Sequence, residues 1–163
     1  MQTTFMLRQF APGDLDQVIN VNRVCLPENY SSYFFMEIYA KYPATFIVAE
    51  QDRALVGYIM CRIETGFSSL SRLGISKKGH VVSVAVLPQH QRRGVGTALL
   101  NEALKNMCMY KAKECFLEVR ASNTSAIGMY TKLGFQVART ASSYYADGED
   151  AVVMAKRLPR HSM

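Results

Sequence analysis

Tryptophan is absent from this 163-residue chain, and no apolar run approaches the roughly 20 residues that cross a membrane as a helix. One of the longest runs, Ala54–Cys61, is short and contains a glycine. The N-terminal sequence MQTTFMLRQF has no basic leader, apolar segment or small-residue cleavage site, so we expect no signal peptide. Together these features predict a soluble protein of the cytoplasm.

The cysteines are few and carry no metal-binding spacing. No C-x-x-C pair occurs, and no histidines stand at zinc-finger distances, so we predict no metal site. We interpret the cysteines as reduced apolar residues, while a catalytic thiol stays open as an alternative. They are Cys25, Cys61, Cys108 and Cys115.

The size and charge of the chain favour one globular domain over residues 1–163, with a loose tail at 159–163. Hydrophobic residues make up 49%, which excludes disorder as the main state. Lys and Arg number 19 against 13 acidic residues, a net charge of +6 without long basic runs. The basic stretch Lys156–His161 is interpreted as a solvated tail, with weak attraction to RNA or to the ribosome as the alternative.

Hydrophobic periodicity and turn residues predict an α/β protein. Helices are predicted at 14–25, 32–41, 94–110 and, starting at Asn123 or Ser125, up to 133–134, with Asp14 as the N-cap of the first. Strands are predicted at 4–10, 45–50, 54–63, 80–87, 114–120, 135–140 and 150–157. Residues 65–79, rich in Gly, Ser and Lys, are interpreted as a connection. Two strand–helix–strand units favour a mixed sheet with helices on both faces.

A glycine loop follows the strand that ends at Pro88. Its sequence is Gln91–Gly96, QRRGVG, and a long apolar helix begins at its end. Glycines at the start of a helix expose backbone N–H groups where the helix dipole favours anions, and Arg92 and Arg93 add positive charge. The loop lacks the lysine of a Walker motif, and Leu99 replaces the third glycine of a dinucleotide fingerprint. A pyrophosphate site is the functional interpretation, and a tight turn is the structural alternative.

Two motifs resemble the acetyl-coenzyme A signature of the GNAT acyltransferases. Gln91–Gly96 is similar to Q/R-x-x-G-x-G/A, and Ser122–Phe135 to N-x-x-A-x-x-x-Y-x-x-x-G-F. Leu26–Tyr30 and Tyr144–Ala151 further resemble the catalytic subunit of N-terminal acetyltransferase A and its archaeal relatives. The resemblance implies a single GNAT domain with a sheet of about seven strands. Two central strands of this sheet are expected to separate from each other.

The resemblance also implies which residues contact acetyl-coenzyme A. Backbone groups of one central strand are expected to pair with the pantetheine amides, and the glycine loop to hold the pyrophosphate. The expected contacts are Val84, Ala85, Val86, Gln91, Arg92, Arg93, Gly94, Val95, Gly96, Thr97, Asn123, Ala126, Tyr130 and Lys132.

Catalytic and peptide-binding residues follow from the same resemblance. His80 and Glu118 are expected to serve as base or water-holding groups, although strand alternation alone does not establish that they converge. Tyr130 is expected near the thioester sulfur. The residues expected to bind the peptide are Glu28, Tyr30, Tyr144 and Tyr145, with Glu28 also counted among the catalytic groups.

We therefore expect a protein N-terminal α-amine acetyltransferase. The alternatives are an enzyme specific for the N-terminal alanine of a ribosomal protein, a lysine or small-amine acetyltransferase, and a non-enzymatic, coenzyme A-binding subunit that docks on ribosomes. The expected partners are polypeptide N-termini and, weakly, the ribosome. No membrane or specific nucleic acid is expected, and the sequence requires no auxiliary subunit.

Overall fold

A computed structural model describes residues 4–71 and 74–160, and within them the chain forms four α-helices and seven β-strands. The helices are α1 (Leu15–Cys25), α2 (Ser32–Lys41), α3 (Val95–Met107) and α4 (Thr124–Lys132). The strands are β1 (Met6–Gln9), β2 (Phe46–Gln51), β3 (Ala54–Phe67), β4 (Ile75–Val86), β5 (Glu114–Arg120), β6 (Gln136–Ala141) and β7 (Ala151–Arg157). No helix in the described ranges has the length and apolar character needed to cross a membrane.

The strands form one mixed sheet in the order β1-β2-β3-β4-β5-β7-β6. The pairs β1–β2, β2–β3, β5–β7 and β6–β7 are antiparallel, whereas β4 and β5 are parallel. Over the described residues, β4 and β5 pair only where Lys78–His80 lie beside Glu114–Phe116, although both strands continue. The predicted mixed sheet of seven strands is confirmed.

The prediction of a connection over residues 65–79 is wrong for most of that segment. β3 continues to Phe67, and β4 already begins at Ile75. Most residues of these extensions are half-buried to exposed, so they lack the continuous apolar character that marks the central parts of both strands. The connection itself covers 68–74, of which 72 and 73 lie outside the described residues.

The predicted capping role of the Asp14 side chain is also wrong. Asp14 occupies the N-cap position of α1, but its carboxylate caps no N–H of that helix. It accepts instead from Arg8 Nη1 at 2.7 Å, Arg8 Nη2 at 2.8 Å and the Ala11 backbone N–H at 2.8 Å. The hydrogen bond from Arg8 holds the pKa of Asp14 below its ordinary value. Arg8, which belongs to β1 and not to the helix, therefore binds the carboxylate in place of the helix N–H groups.

The other elements lie close to their predicted positions. α2 and β5 have the predicted bounds, and α3 ends at Met107, where a 3₁₀ turn over Cys108–Tyr110 replaces the last predicted helical residues. Of the predicted tail, Pro159 and Arg160 belong to no helix or strand. Residues 161–163 of that tail lie outside the described residues.

The chain packs into two compact units, and the first comprises the described parts of Met1–Arg62 and Val82–Met109. Its core is aromatic, since Phe10, Phe35, Phe46 and Tyr58 are all at most 1% exposed. The Phe10 and Phe46 rings stack with centroids 4.1 Å apart. Desolvation raises the pKa of Tyr58 to about 12. The end of β4 packs against this core through Val82 and Ala85.

The second unit comprises the described parts of Ile63–Val81 and Tyr110–Met163. Its small apolar cluster centres on Phe116, Val153 and Ala155. Glu114, only 4% exposed, accepts hydrogen bonds of 2.6 Å from the Ser68 hydroxyl and from the Ser69 backbone N–H. These bonds hold the segment after β3 against the start of β5. The prediction of one domain stays a prediction.

Candidate active site

Two predicted catalytic side chains meet in the second unit. His80 of β4 lies in register with Phe116 of β5, and Glu118 follows two residues later in β5. His80 Nε2 is 2.7 Å from Glu118 Oε2, and the imidazole stacks on the Phe116 ring at a centroid distance of 4.3 Å. The side chains of His80 and Glu118 are 10% and 16% exposed. The parallel register thus brings together two groups that are far apart in the sequence.

Sequence reasoning missed a third titratable residue of this cluster, Glu64. Its Oε1 lies 3.2 Å from His80 Nδ1, so both imidazole nitrogens face carboxylate oxygens. Glu64 belongs to the part of β3 that follows Ile63, where the predicted strand ended. The β-prone residues Ile63, Thr65 and Phe67 at alternate positions are the signal that could have extended the strand past Glu64.

Tyr130, predicted near the thioester sulfur, is buried in α4 with 7% of its surface exposed. Its ring lies 6.0 Å from that of Phe135. Burial raises the pKa of its hydroxyl to about 12, and the nearby Cys115 adds to the shift. The phenol therefore keeps its proton at neutral pH and can act as a hydrogen-bond donor.

Asn123 begins α4 as its N-cap residue. Its Oδ1 accepts a hydrogen bond of 3.2 Å from the Ala126 backbone N–H. Both residues belong to the set predicted to contact the cofactor, and Lys132 lies exposed at the other end of the same helix. The capping interaction gives Asn123 a structural role, while the cofactor contacts of all three residues stay predictions.

The glycine loop has the backbone geometry of an anion site. Gly94 precedes α3 with φ +84° and ψ 3°, and Arg92 also has a positive φ of 62°. A β-carbon added at Gly94 would meet nothing within 4 Å, so glycine is favoured there by the left-handed backbone and not by lack of space. No side chain from the described residues caps the start of α3.

These residues fit a pyrophosphate. The first N–H groups of a helix have no partner within the helix, and the positive end of the helix dipole lies at the same place. Val95, Gly96 and Thr97 supply those N–H groups. The side chains of Arg92 and Arg93 are exposed beside them. The loop can thus hold an anionic diphosphate without any catalytic side chain.

Pantetheine contacts are predicted at Val84–Val86, near the end of β4. Side chains of the first unit anchor this end of the strand. Gln91 Nε2 donates to the Val86 carbonyl at 3.0 Å, and Cys25 Sγ donates to the same oxygen at 3.4 Å. A β-carbon at Gly57 would lie 2.9 Å from the Ala85 carbonyl oxygen, so β3 approaches β4 closely. The Gln91 side chain therefore ties the glycine loop to β4, and its contact with the cofactor stays a prediction.

Two predicted peptide-binding residues, Glu28 and Tyr30, lie in the first unit between α1 and α2. Asn22, which is 1% exposed, donates from Nδ2 to the Glu28 carbonyl at 3.1 Å. The Tyr30 hydroxyl donates to the Val82 carbonyl of β4 at 3.3 Å. The loop is therefore anchored through its backbone at one residue and through a phenol at the other.

The other two, Tyr144 and Tyr145, lie in the second unit between β6 and β7, with ring centroids 5.0 Å apart. The guanidinium of Arg120 covers the Tyr145 ring at 4.1 Å. Arg120 Nη1 also donates to Asp147 at 2.8 Å and to Glu149 at 3.0 Å. Sequence reasoning missed Arg120, which holds this loop from the end of β5.

The glycine loop and the whole of α4 fall within a match to a known family. Residues 15–135 match the acetyltransferase (GNAT) family. The chain belongs to this family. Its membership confirms the fold predicted from the two motifs.

Relatives of this GNAT chain are similar over nearly its full length. An N-alpha-acetyltransferase of Sulfurisphaera tokodaii is 53% identical over 156 residues, covering 94% of this chain and 93% of the relative. The N-terminal acetyltransferase A complex catalytic subunit NAA10 of Arabidopsis thaliana is 34% identical, with coverage of 93% and 77%. The crystal structure of Chaetomium thermophilum Naa20 in complex with a bisubstrate analogue has a TM-score of 0.82 and 30% identity, covering 94% of this chain and 86% of that one.

Proposed function

We infer that this chain is a protein N-terminal acetyltransferase, which transfers an acetyl group from acetyl-coenzyme A to the α-amine of a polypeptide. The observation that carries the inference is the His80–Glu118 pair, 2.7 Å apart on adjacent parallel strands. N-alpha-acetyltransferases that are 53% identical to this chain support the same activity. The chain transfers acetyl groups and uses acetyl-coenzyme A.

The reaction requires little beyond a base and correct positioning. Bound acetyl-coenzyme A supplies an activated thioester, which an amine can attack without a nucleophile from the enzyme. An α-amine titrates near 7.7–8.0 and a lysine side chain near 10.4, so deprotonation at pH 7 costs about 1.4 kcal/mol for the former and more than about 4 kcal/mol for the latter. A modest base such as the His80–Glu118 pair suffices for the α-amine.

The residues of the glycine loop are assigned to the diphosphate of the coenzyme. The N–H groups of Val95–Thr97 donate to its oxygens, while Arg92 and Arg93 offset its charge. Tyr130 is assigned to the proton that the departing thiolate must collect, because burial keeps its hydroxyl protonated. Each of these roles is a proposal that follows from the uncapped helix start and from the buried phenol.

Glu28, Tyr30, Tyr144 and Tyr145 are assigned to the peptide. A carboxylate at Glu28 can hold the α-ammonium before deprotonation, and a phenol can donate to the first peptide carbonyl. The phenols of Tyr30 and Tyr145 are the proposed donors, and the Tyr30 hydroxyl also donates to the Val82 carbonyl at 3.3 Å. A site that binds the backbone next to the amine excludes an internal lysine, which lacks the adjacent carbonyl.

The peptide assignment is tested at Glu28 and Tyr145. Glu28→Ala is expected to change the ranking among peptides with different first residues, while leaving the affinity for acetyl-coenzyme A unchanged. Tyr145→Phe is expected to weaken peptide use by about 0.5–1.5 kcal/mol, the contribution of one neutral hydrogen bond. Steady-state kinetics with a peptide panel measures both effects, and an unaltered ranking together with unaltered peptide KM values rejects the assignment.

We further propose that the enzyme acts in the cytoplasm on nascent chains, with weak attraction to the ribosome through its net charge of +6. We propose that no auxiliary subunit is needed for the chemistry, because this chain supplies both the glycine loop and the His80–Glu118 pair that acts as the base. Co-sedimentation of the purified protein with ribosomes at low and high salt tests the association.

The activity is tested with short peptides that have free or blocked N-termini, some of which carry an internal lysine. Release of coenzyme A thiol and the mass of the product report acetylation and its position. Acetylation of free N-termini alone supports the proposal. Efficient acetylation of blocked peptides at lysine would overturn it in favour of a lysine acetyltransferase.

A further inference from the structure

His80 is held from both sides by carboxylates that come from two different strands. Glu64 of β3 approaches Nδ1 at 3.2 Å, and Glu118 of β5 approaches Nε2 at 2.7 Å. The ring plane is set by Phe116, which stacks on it with an angle of 10°. Three neighbours, Glu64, Glu118 and Phe116, thus fix the position and the rotation of the imidazole ring.

The donors and acceptors of this cluster determine where its protons lie. An ionised carboxylate only accepts hydrogen bonds, and a neutral imidazole has one N–H and one bare nitrogen. With an acceptor at each nitrogen, the favourable arrangement keeps a proton on Nδ1 towards Glu64 and shares a second proton between His80 Nε2 and Glu118 Oε2. Glu64 also offsets the charge that the ring acquires when the shared proton settles on Nε2.

We propose that Glu64 is a positioning residue for acetyl transfer, which holds the Nδ1 proton of His80 so that the ring exchanges a proton with Glu118 only through Nε2. The proposal rests on the function proposed above and adds a residue to it. Glu64 acts through His80 and need not touch either substrate, whereas Glu118 is the group that receives the proton of the amine.

The proton balance of this step needs no further reactant. An N–H bond of the substrate ammonium breaks and an O–H bond forms at Glu118 Oε1, while the proton shared by Oε2 moves fully to His80 Nε2. The neutral amine then attacks the thioester carbonyl, so that the C–N bond forms and the C–S bond breaks, and the nitrogen loses a second proton as it becomes an amide. One of the two protons lost by the nitrogen protonates the departing thiolate, with Tyr130 as the proposed donor, and the other passes to solvent, which returns the pair to its starting state.

Among the described residues, Lys78, two residues before His80 on β4, is a charged group that contacts the same phenyl ring as the imidazole. Its ammonium lies 4.5 Å from the centroid of Phe116 and 3.4 Å from the Ser69 hydroxyl. A positive charge there opposes protonation of the imidazole, whereas Glu64 and Glu118 favour it. Removal of Glu64 therefore lowers the proton affinity of the pair, and the acidic limb of the pH–rate profile moves to lower pH.

The kinetic test compares Glu64→Ala and Glu64→Gln with a control, Glu37→Gln. Glu37 is a partly exposed carboxylate on α2 whose ion pair within the described part of the chain is with Lys41 at 3.0 Å, so its loss removes the same charge away from the site. Glu64→Ala is expected to lower kcat by about 10- to 100-fold, less than the 10²–10⁴ that a general base contributes. The KM of Glu64→Ala for acetyl-coenzyme A is expected to stay unchanged, and the acidic limb of its pH–rate profile is expected to move to lower pH. Glu64→Gln, whose amide oxygen still accepts from Nδ1, is expected to retain more kcat but to show the same shift of the limb.

A spectroscopic measurement keeps this test independent of turnover. In ¹⁵N spectra of labelled histidine, His80 Nδ1 is expected to stay protonated across neutral pH in the wild type and in Glu64→Gln. In Glu64→Ala the nitrogen is expected to lose its proton, because Glu118 then draws the single proton to Nε2. An unchanged Nδ1 signal in Glu64→Ala, or kinetics equal to those of Glu37→Gln, overturns the proposal. Since the spectra need no peptide, failure of the peptide assays would reject the proposed function without affecting this result.

Discussion

At the scale of single residues, the chemistry depends on where two strands place a few side chains. His80 and Glu118 are ordinary polar residues in apolar strands, and only their 2.7 Å contact makes them a candidate base. Gly94 is important for a different reason, since its backbone adopts φ +84° at the start of α3. The sequence indicated both the His80–Glu118 pair and Gly94. Only at Gly94 does the residue type suggest the local geometry, because glycine adopts a positive φ readily.

Removal of both members of the pair, in His80→Ala combined with Glu118→Ala, is expected to lower kcat by about 10²–10⁴-fold and to flatten the acidic limb of the pH–rate profile. The physical reason is that no neighbouring group then accepts the proton of the amine. Turnover is measured across pH at saturating acetyl-coenzyme A, with calorimetric binding of the coenzyme as the control for folding. Wild-type turnover with an unchanged profile would mean that the amine loses its proton to solvent.

Substitution Gly94→Ala is expected to lower the free energy of unfolding by about 1–2 kcal/mol, because a β-carbon is disfavoured in the left-handed region. Gly13→Ala is the matched control, since a β-carbon there also meets nothing within 4 Å and the backbone φ is not positive. Urea unfolding measures both variants. Equal stability of the two would contradict the role of backbone conformation at Gly94.

At the scale of elements, several boundaries were decided by partners from other elements. Asp14 follows the ordinary pattern of an N-cap, yet Arg8 of β1 binds its carboxylate with two hydrogen bonds and fastens β1 to the start of α1. β3 and β4 extend past their apolar parts and so place Glu64 beside His80. Such extensions depend on strand pairing, which compensates for weak local propensity.

Loss of the carboxylate in Asp14→Asn is expected to lower the free energy of unfolding at pH 7 by about 1–3 kcal/mol, the value of hydrogen bonds to charged groups. Because the pKa of Asp14 is lowered in the folded state, chiefly by Arg8, its contribution is complete above its unfolded value of about 3.9 and is lost as the pH falls through the lower folded value. The difference from the wild type is therefore constant from pH 7 to about 5 and shrinks below about pH 4.

The measurement is urea unfolding of the wild type and the variant at pH 7, 5 and 3.5. Asp52→Asn serves as the control, since Asp52 lies exposed in the turn between β2 and β3 and asparagine tolerates its positive φ of 51°. A stability difference for Asp14→Asn that does not depend on pH would show that packing, and not the charge, is responsible.

At the scale of the whole molecule, each of the two units has an apolar core among its described residues, and no disulfide links the four cysteines. Cys61 and Cys115 are buried, and Cys25 and Cys108 are partly buried. Burial raises the pKa of the Cys25 and Cys115 thiols, which keeps them in the unreactive thiol form at neutral pH.

Reducing agent is accordingly expected to leave the Tm unchanged, since there is no disulfide for it to break. Thermal unfolding with and without a phosphine reductant measures this. In a separate experiment, a thiol reagent is expected to modify the full set of four cysteines only when the protein is unfolded. Cys61 and Cys115 should react more slowly than the other two in the native protein. A lower Tm in the presence of reductant would contradict the assignment of free thiols.

The sequence by itself determined the features that depend on near neighbours. The period of the apolar residues located the helices and most strands, and the glycine loop predicted an anion site because its N–H groups belong to consecutive residues. The convergence of His80 and Glu118 was only an expectation from resemblance, since the register of two parallel strands depends on the crossover between them. Glu64 and Arg120 escaped notice for the same reason. Each becomes part of a site only through a partner on another strand or loop, and tertiary structure alone decides which partners meet.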